Sequence, residues 1–244
     1  MRVSQYLWHS FIPELFERDG IALDLGANHG QFSEYLADKF RIVLAVEPNP
    51  EITYPSPGKN VQLQRCAVGW PGGVARFECR EIDVSSGLVP GNRDSIPDSA
   101  GDASISVRVV TLSDLLAAYA GEAIAFVKMD VEGAELDIFL NEPAEVLCRI
   151  KQLTVEFHDF VDPASLPRIK QAIERLEGLG FAALRFSVST YGDVLFLNRR
   201  YVAVGALQQM WWLFRFKLCR GVSRRIRRTL GLEGRLPAGY AFLR

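Results

Sequence analysis

The sequence predicts an α/β protein, a mostly parallel sheet with helices on both faces in the Rossmann-like manner. Three observations predict it. Ile21–Leu25, Ile42–Val46 and Ile124–Met129 are short, nearly continuous apolar runs, the pattern of strands buried on both faces of a parallel sheet. Each run carries an acid at or beside its end (Asp24, Glu47, Asp130), and the first and third lead through glycine into an amphipathic segment. Strand-like and helix-like stretches then alternate along much of the chain. With 244 residues, 48% hydrophobic and 23% charged, the chain suffices for one such core.

Taken in order, Val3–Phe16 reads as an amphipathic helix interrupted by Pro13, with Tyr6, Leu7, Phe11, Leu15 and Phe16 apolar and His9 at the surface or in packing. Ile21–Gly30, IALDLGANHG, is the first strand and its turn, and Gln31–Phe40 is the helix that follows. Glycines there let backbone approach a ligand, and the helix N-terminus offers free N–H groups. A dinucleotide site needs G-x-G-x-x-G. Here only Gly26 and Gly30 are present, with Ala27, Asn28 and His29 between them.

Asp24 and Glu47 lie 23 residues apart at the carboxyl ends of neighbouring strands. A carboxylate so placed can accept two hydrogen bonds from a ribose diol, and the glycine turn can hold an amino-acid carboxylate. S-adenosylmethionine has both ends.

Pro55, Pro57 and Gly58 permit at most a truncated helix after Glu47, and Val61–Val68 reads as a third strand. Gly72-Gly73 then signals a turn, Val74–Cys79 and Ile105–Val110 form a hairpin pair, and Asp83–Ser104 is a long loop of lid composition between them. Leu112–Tyr119 is a helix with Thr111 as its cap. Ile124–Met129 is the fourth strand, followed by DVEGAELDIFL and a helix that Pro143 breaks. Lys151–Phe157 is the fifth strand, Pro163–Leu179 a helix, and Phe181–Phe186 with Asp193–Leu197 a closing antiparallel pair. No internal repeat of fixed period is found.

Cys66, Cys79, Cys148 and Cys219 are scattered, with neither C-x-x-C nor zinc spacing, which suggests buried thiols in a reducing compartment. Met1–Pro13 lacks the features of a secretion signal, no run has membrane-span length, and the expected location is cytoplasmic. The net charge of −1 conceals segregation: residues 1–193 hold 17 Lys+Arg against 28 Asp+Glu, and residues 194–244 hold 11 against 1. Gln208–Leu230 places Trp211, Phe214, Leu218, Val222, Ile226 and Leu230 at steps of three or four among seven basic residues. That composition resembles an interfacial amphipathic helix, expected at the inner face of an anionic membrane unless its aromatics pack on the acidic body.

DLGANHGQFS, AVEPNP, CAVG at Cys66–Gly69, the pair Ser85-Ser86, MDVEGAE and VEFH follow one another over roughly residues 20–160. Together they resemble the FkbM family of S-adenosylmethionine-dependent methyltransferases. The resemblance implies the class I methyltransferase fold, a seven-stranded sheet with its last strand antiparallel. The methyltransferase domain is placed at residues 1–200, and the basic tail, 201–244, departs from the family, as does the shortened helix after Glu47. It also implies O-methylation, often of sugar hydroxyls on glycans, glycolipids or glycosylated natural products. Cofactor-binding positions carried over are Asp24, Gly26, Ala27, Asn28, Gly30, Glu47, Ala67 and Asp130.

Glu132 and Glu135 would share a helix face, but acids in a first turn are also ordinary dipole partners, so Asp130 is the functional choice. Glu156 and His158 end the next strand across the crevice. His158 is therefore placed as the base for the acceptor hydroxyl, with Asp130 and Glu156 beside it, although a histidine bonded to loop backbone would read the same way. No metal is required. The alternatives are a nucleic-acid methyltransferase using the tail as a basic arm, or a silent nucleoside-binding module; neither nucleic acid nor a spoiled cofactor loop is expected from these motifs.

Overall fold

The computed structural model describes residues 1–54, 58–78 and 104–229. It opens with a hairpin, β1 (Ser4–Tyr6) and β2 (His9–Phe11), in which Tyr6 pairs with His9 across the two-residue turn Leu7-Trp8. This corrects the helix expected over Val3–Phe16. Leu7 and Trp8 both take positive φ (44° and 67°), as a tight hairpin turn requires, and Pro13 opens only a single 3-10 turn, Pro13–Leu15. The hairpin is fixed from far along the chain. The Ser10 N–H and hydroxyl donate to Asp193 at 3.0 and 2.7 Å, and the Ile12 N–H donates to Gln152 Oε1 at 2.7 Å.

The remaining elements are β3 (Ile21–Leu25), α1 (Gln31–Ala37), β4 (Ile42–Val46), β5 (Val61–Gln64), β6 (Ala67–Val68), β7 (Gly73–Glu78), β8 (Ser104–Val110), α2 (Leu112–Leu115), β9 (Ile124–Met129), α3 (Glu135–Asn141), α4 (Ala144–Leu147), β10 (Gln152–Val155), α5 (Leu166–Gly178), β11 (Phe181–Arg185), β12 (Val194–Asn198) and α6 (Ala206–Thr229). The main sheet has the order β11-β12-β10-β9-β3-β4-β5. Strands β10, β9, β3, β4 and β5 are parallel neighbours, while β12 runs antiparallel to both β10 and β11. This is the expected class I methyltransferase sheet. Strand β3 is central, and the chain leaves it first towards β4 and later returns to its other side at β9, so a topological switch point opens beside its carboxyl end.

Alternation along β3 divides the core. Ile21, Leu23 and Leu25 face the layer that contains Leu136, Phe139, Ile169 and Leu176, whereas Ala22 faces a layer of aromatics. In that second layer Phe126 is surrounded by the rings of Phe11, Phe16, Phe32 and Phe40 at centroid distances of 5.2–6.3 Å. The apolar residues of the N-terminal segment thus serve the aromatic layer from a hairpin and not from a helical stripe.

Val61–Val68, expected as one strand, serves two sheets: β5 extends the main sheet, and β6 joins β8 and β7 in a three-stranded one. The predicted hairpin is present as β7 and β8. The lid expected at Asp83–Ser104 lies outside the described residues except for Ser104, which begins β8. Thr111 caps α2 in a capping box with Asp114. The start of α6 is docked, with Trp212 and Phe216 buried beside Val3, Ile12, Leu184, Phe186 and Leu195. Among the described residues no helix is long and apolar enough to cross a membrane.

Candidate active site

The turn after β3 is held by backbone conformations that glycine supplies. Gly26 has φ +76°, and a Cβ there would stand 1.8 Å from the Asp130 carbonyl oxygen. The strand ends of β3 and β9 therefore touch through a glycine. Gly30 has φ +78°, and a Cβ there would enter the Tyr54 ring. Asn28 between them is also left-handed, with φ +48°.

Charged side chains secure the same turn. Asp24 is fully buried; its Oδ2 accepts from the Ser33 hydroxyl at 2.6 Å, and its Oδ1 lies 3.5 Å from Lys128 Nζ. The Lys128 ammonium donates to the Gly26 carbonyl at 2.6 Å and stands 3.3 Å from Asp130 Oδ2. Burial would lower the Lys128 pKa, but Asp130 and Asp24 outweigh it and hold the amine above its ordinary value. Glu47 accepts the Asn28 N–H at 2.8 Å on one oxygen and the Asn49 N–H at 2.9 Å on the other, while burial pushes its carboxyl up.

Over these strand ends lies an open cleft lined by Gly26, Asn28 and Glu47 on one side, Ile52, Ala67, Val68 and Phe77 on another, and Asp130, Val131 and Glu132 at the β9 end. Of the residues expected to bind cofactor, the structure brings Gly26, Asn28, Glu47, Ala67 and Asp130 to its walls. Asp24, Ala27 and Gly30 shape the turn from behind.

A cluster of acids and imidazoles closes the β9 end. His158 Nε2 lies 3.2 Å from Glu132 Oε2 and 3.5 Å from Asp130 Oδ1, and its Nδ1 lies 3.4 Å from Glu135 Oε1. Burial would lower the His158 pKa, but Glu135, Glu132 and Asp130 raise it to about 9. The three carboxylates thus favour the imidazolium form of His158. Asp130 is held well below the usual carboxylate range, since Lys128, His9 and His158 outweigh its burial. Glu156 is raised by burial and by Asp130.

The expected helical pairing of Glu132 and Glu135 is corrected. Glu132 sits before α3 with φ +54° and faces the cleft, whereas Glu135 opens α3 and accepts the Val131 and Gly133 N–H groups at 2.9 and 2.8 Å. Burial raises Glu132 to about 7. His9, read as a surface or packing residue, is buried with Nε2 3.7 Å from Asp130 Oδ2.

Three participants were not singled out from sequence. Lys128 carried a signal, a lysine inside an otherwise apolar strand; His9 carried none, because its position depends on the hairpin; Tyr54, which packs on Gly30 and is pushed up to about 12 by burial, lay in a segment without periodicity. Among the described residues His9, Asp130 and Glu156, and likewise Asp130, Glu132 and His158, bring ligand atoms within 4.8 Å of one another. Lys128 already sets a positive charge against the oxygen of Asp130 nearest to it.

Comparison with known proteins decides the family, because the description "Methyltransferase FkbM domain" matches residues 24–182. The chain belongs to the FkbM methyltransferase family. AMB antimetabolite synthetase AmbE of Pseudomonas aeruginosa is 26% identical over 73% of this chain, which spans only 10% of that protein's length. Among solved structures, an rRNA methylase from Streptococcus thermophilus is 12% identical with a TM-score of 0.40, covering 75% of this chain and 88% of that one. A Streptococcus mutans protein in complex with SAH is 13% identical with a TM-score of 0.41, covering 76% and 90%. Similarity at that level says nothing of substrate.

The methyl donor of the FkbM methyltransferases, S-adenosylmethionine, fits this cleft. Each Glu47 oxygen accepts one N–H and retains capacity for a ribose hydroxyl. Ile52, Ala67, Val68 and Phe77 offer an apolar wall suited to adenine, and Gly26 and Asp130 border the other end, where a methionine moiety carries its charges.

Proposed function

We propose that this FkbM domain is an S-adenosylmethionine-dependent O-methyltransferase acting on a sugar hydroxyl, with Glu132 as the proton acceptor. The observation that carries the reading is Glu132 itself. It is a carboxylate raised to about 7, in the wall of the cleft that also holds Glu47 and Asp130, and fixed by an imidazolium 3.2 Å away. When bound, S-adenosylmethionine supplies an electrophilic methyl group.

The chain's own residues do the rest. A Glu132 oxygen takes the hydroxyl proton as the oxygen becomes nucleophilic, which contributes about 10²–10⁴-fold. His158 does not touch that proton in this reading; it stays protonated and orients Glu132, so the role of base passes from His158 to Glu132. Lys128 keeps Asp130 ionised at the strand end, and Asp130 with Gly26 positions the donor end. Placement of donor and acceptor supplies the larger share, up to roughly 7–11 kcal/mol.

One structural feature supports a sugar acceptor. Phe160, whose ring centroid is 5.5 Å from that of His158, is exposed beside the acid cluster and presents a flat apolar face of the kind a pyranose covers. The family resemblance points the same way.

The test is methyl transfer from labelled S-adenosylmethionine to a panel of glycosides, with Glu132→Gln beside the wild type. Sugar methyl ethers formed by the wild type and a loss of kcat in Glu132→Gln, with cofactor binding retained, are expected. Full turnover by Glu132→Gln would remove it as the base, and methylation of RNA in preference to any glycoside would overturn the acceptor class.

A further inference from the structure

Helix α6 is apolar on two sides. One side is used: Trp212 and Phe216 are buried on the body, with the Phe216 and Phe186 rings 4.7 Å apart and the Trp212 indole N–H donating to the Met1 carbonyl at 3.2 Å. The other side is not. Leu207, Met210, Trp211, Phe214 and Leu218 recur at helical spacing, are each 53–83% exposed, and set the Trp211 and Phe214 rings 6.2 Å apart. A helix docked on a globular body needs one apolar face, so a second continuous face marks an interaction surface.

Charge selects its partner. Arg215, Lys217, Arg220, Arg224, Arg225, Arg227 and Arg228 belong to α6, and no acidic residue occurs from Val194 to Leu232. The preceding 193 residues hold 28 acids against 17 bases. The exposed apolar stripe therefore sits on the one strongly cationic segment of an otherwise acidic chain. A nucleic acid would use the cations but leave five apolar side chains in water. An anionic bilayer surface uses both, because the headgroup layer accepts basic side chains while tryptophan, phenylalanine and leucine enter the acyl boundary.

We infer that α6 seats the enzyme on an anionic membrane surface, with Leu207, Met210, Trp211, Phe214 and Leu218 as the inserted face. The helix lies along the interface and does not cross it, since no described helix is apolar enough to span. Trp212 and Phe216 hold the seated helix against the sheet, so the methyltransferase domain is carried at a fixed attitude to the lipid.

The test is sedimentation of the full chain with phosphatidylcholine vesicles, with and without phosphatidylserine. Binding that requires phosphatidylserine and weakens as salt rises is expected. The double variant Trp211→Ser/Phe214→Ser changes two exposed side chains and should lower partitioning at least about tenfold with thermal stability unchanged. Arg224→Glu/Arg225→Glu should abolish the preference for phosphatidylserine. Equal pelleting of wild type and both variants, or no pelleting with phosphatidylserine, would overturn the inference. So would lipid-independent dimerisation lost in Trp211→Ser/Phe214→Ser, which would give the stripe to a second copy of the chain, or RNA binding tighter than vesicle binding.

Discussion

His158 Nε2 and Glu132 Oε2 stand 3.2 Å apart across the end of β9, the imidazole drawn towards protonation by the carboxylates around it, against its burial, and the Glu132 carboxylate lifted towards neutrality by burial. In the proposed reading that relationship orders the chemistry, because the imidazolium holds in place the carboxylate that accepts the proton.

The pH profile follows from Glu132. Below about 7 its carboxyl is protonated and cannot accept, so kcat should rise with pH through that region and level off above it. Glu132→Gln should be slow at every pH. A wild-type profile flat from pH 5.5 to pH 8.5, measured as initial rates at saturating substrates, would contradict the assignment.

His158 stabilises the fold with the opposite sign of pH dependence. Its folded pKa of about 9 lies above the ordinary 6.5, so its contribution is complete below about 6.5 and is lost as pH rises through 9. The shift corresponds to a contribution on the order of 3 kcal/mol. His158→Gln should therefore lower the melting temperature more at pH 6 than at pH 9.5. A gap between wild type and variant that does not narrow across this range would show that the imidazolium contributes no net stability.

Glu47→Ala should weaken S-adenosylhomocysteine binding by roughly 1.5–3 kcal/mol, through lost charge-assisted hydrogen bonds. It should also loosen the turn, because the Asn28 and Asn49 N–H groups lose their acceptor. Titration calorimetry returning wild-type affinity would place the ribose elsewhere.

Lys128→Met would leave Asp24 and Asp130 without their shared cation inside the domain. Breaking a buried pair in this way costs about 3–5 kcal/mol. Denaturant unfolding should show a loss of that size, and Lys128→Arg should not restore it, because the larger guanidinium does not fit where Nζ reaches the Gly26 carbonyl at 2.6 Å. Wild-type stability in Lys128→Met would mean that the two acids are protonated.

By itself the sequence determined the order of the sheet's central elements. Runs such as Ile124–Met129 are apolar on both faces wherever they are placed, and a glycine that must be left-handed, as at Gly26 and Gly30, writes its turn locally. It determined Glu47 and Asp130 as cleft residues too, since a carboxylate directly after a buried strand has only the strand's carboxyl end to occupy. Tertiary structure alone decided the N-terminal hairpin, because its donors find Asp193 and Gln152, more than a hundred residues away, and no periodicity within Val3–Phe16 carries that information. It also decided the electrostatic setting of the cluster. Burial raises Glu132, while Glu135, Glu132 and Asp130 raise His158 against its burial, and no spacing in sequence states how buried these groups are or which of them meet.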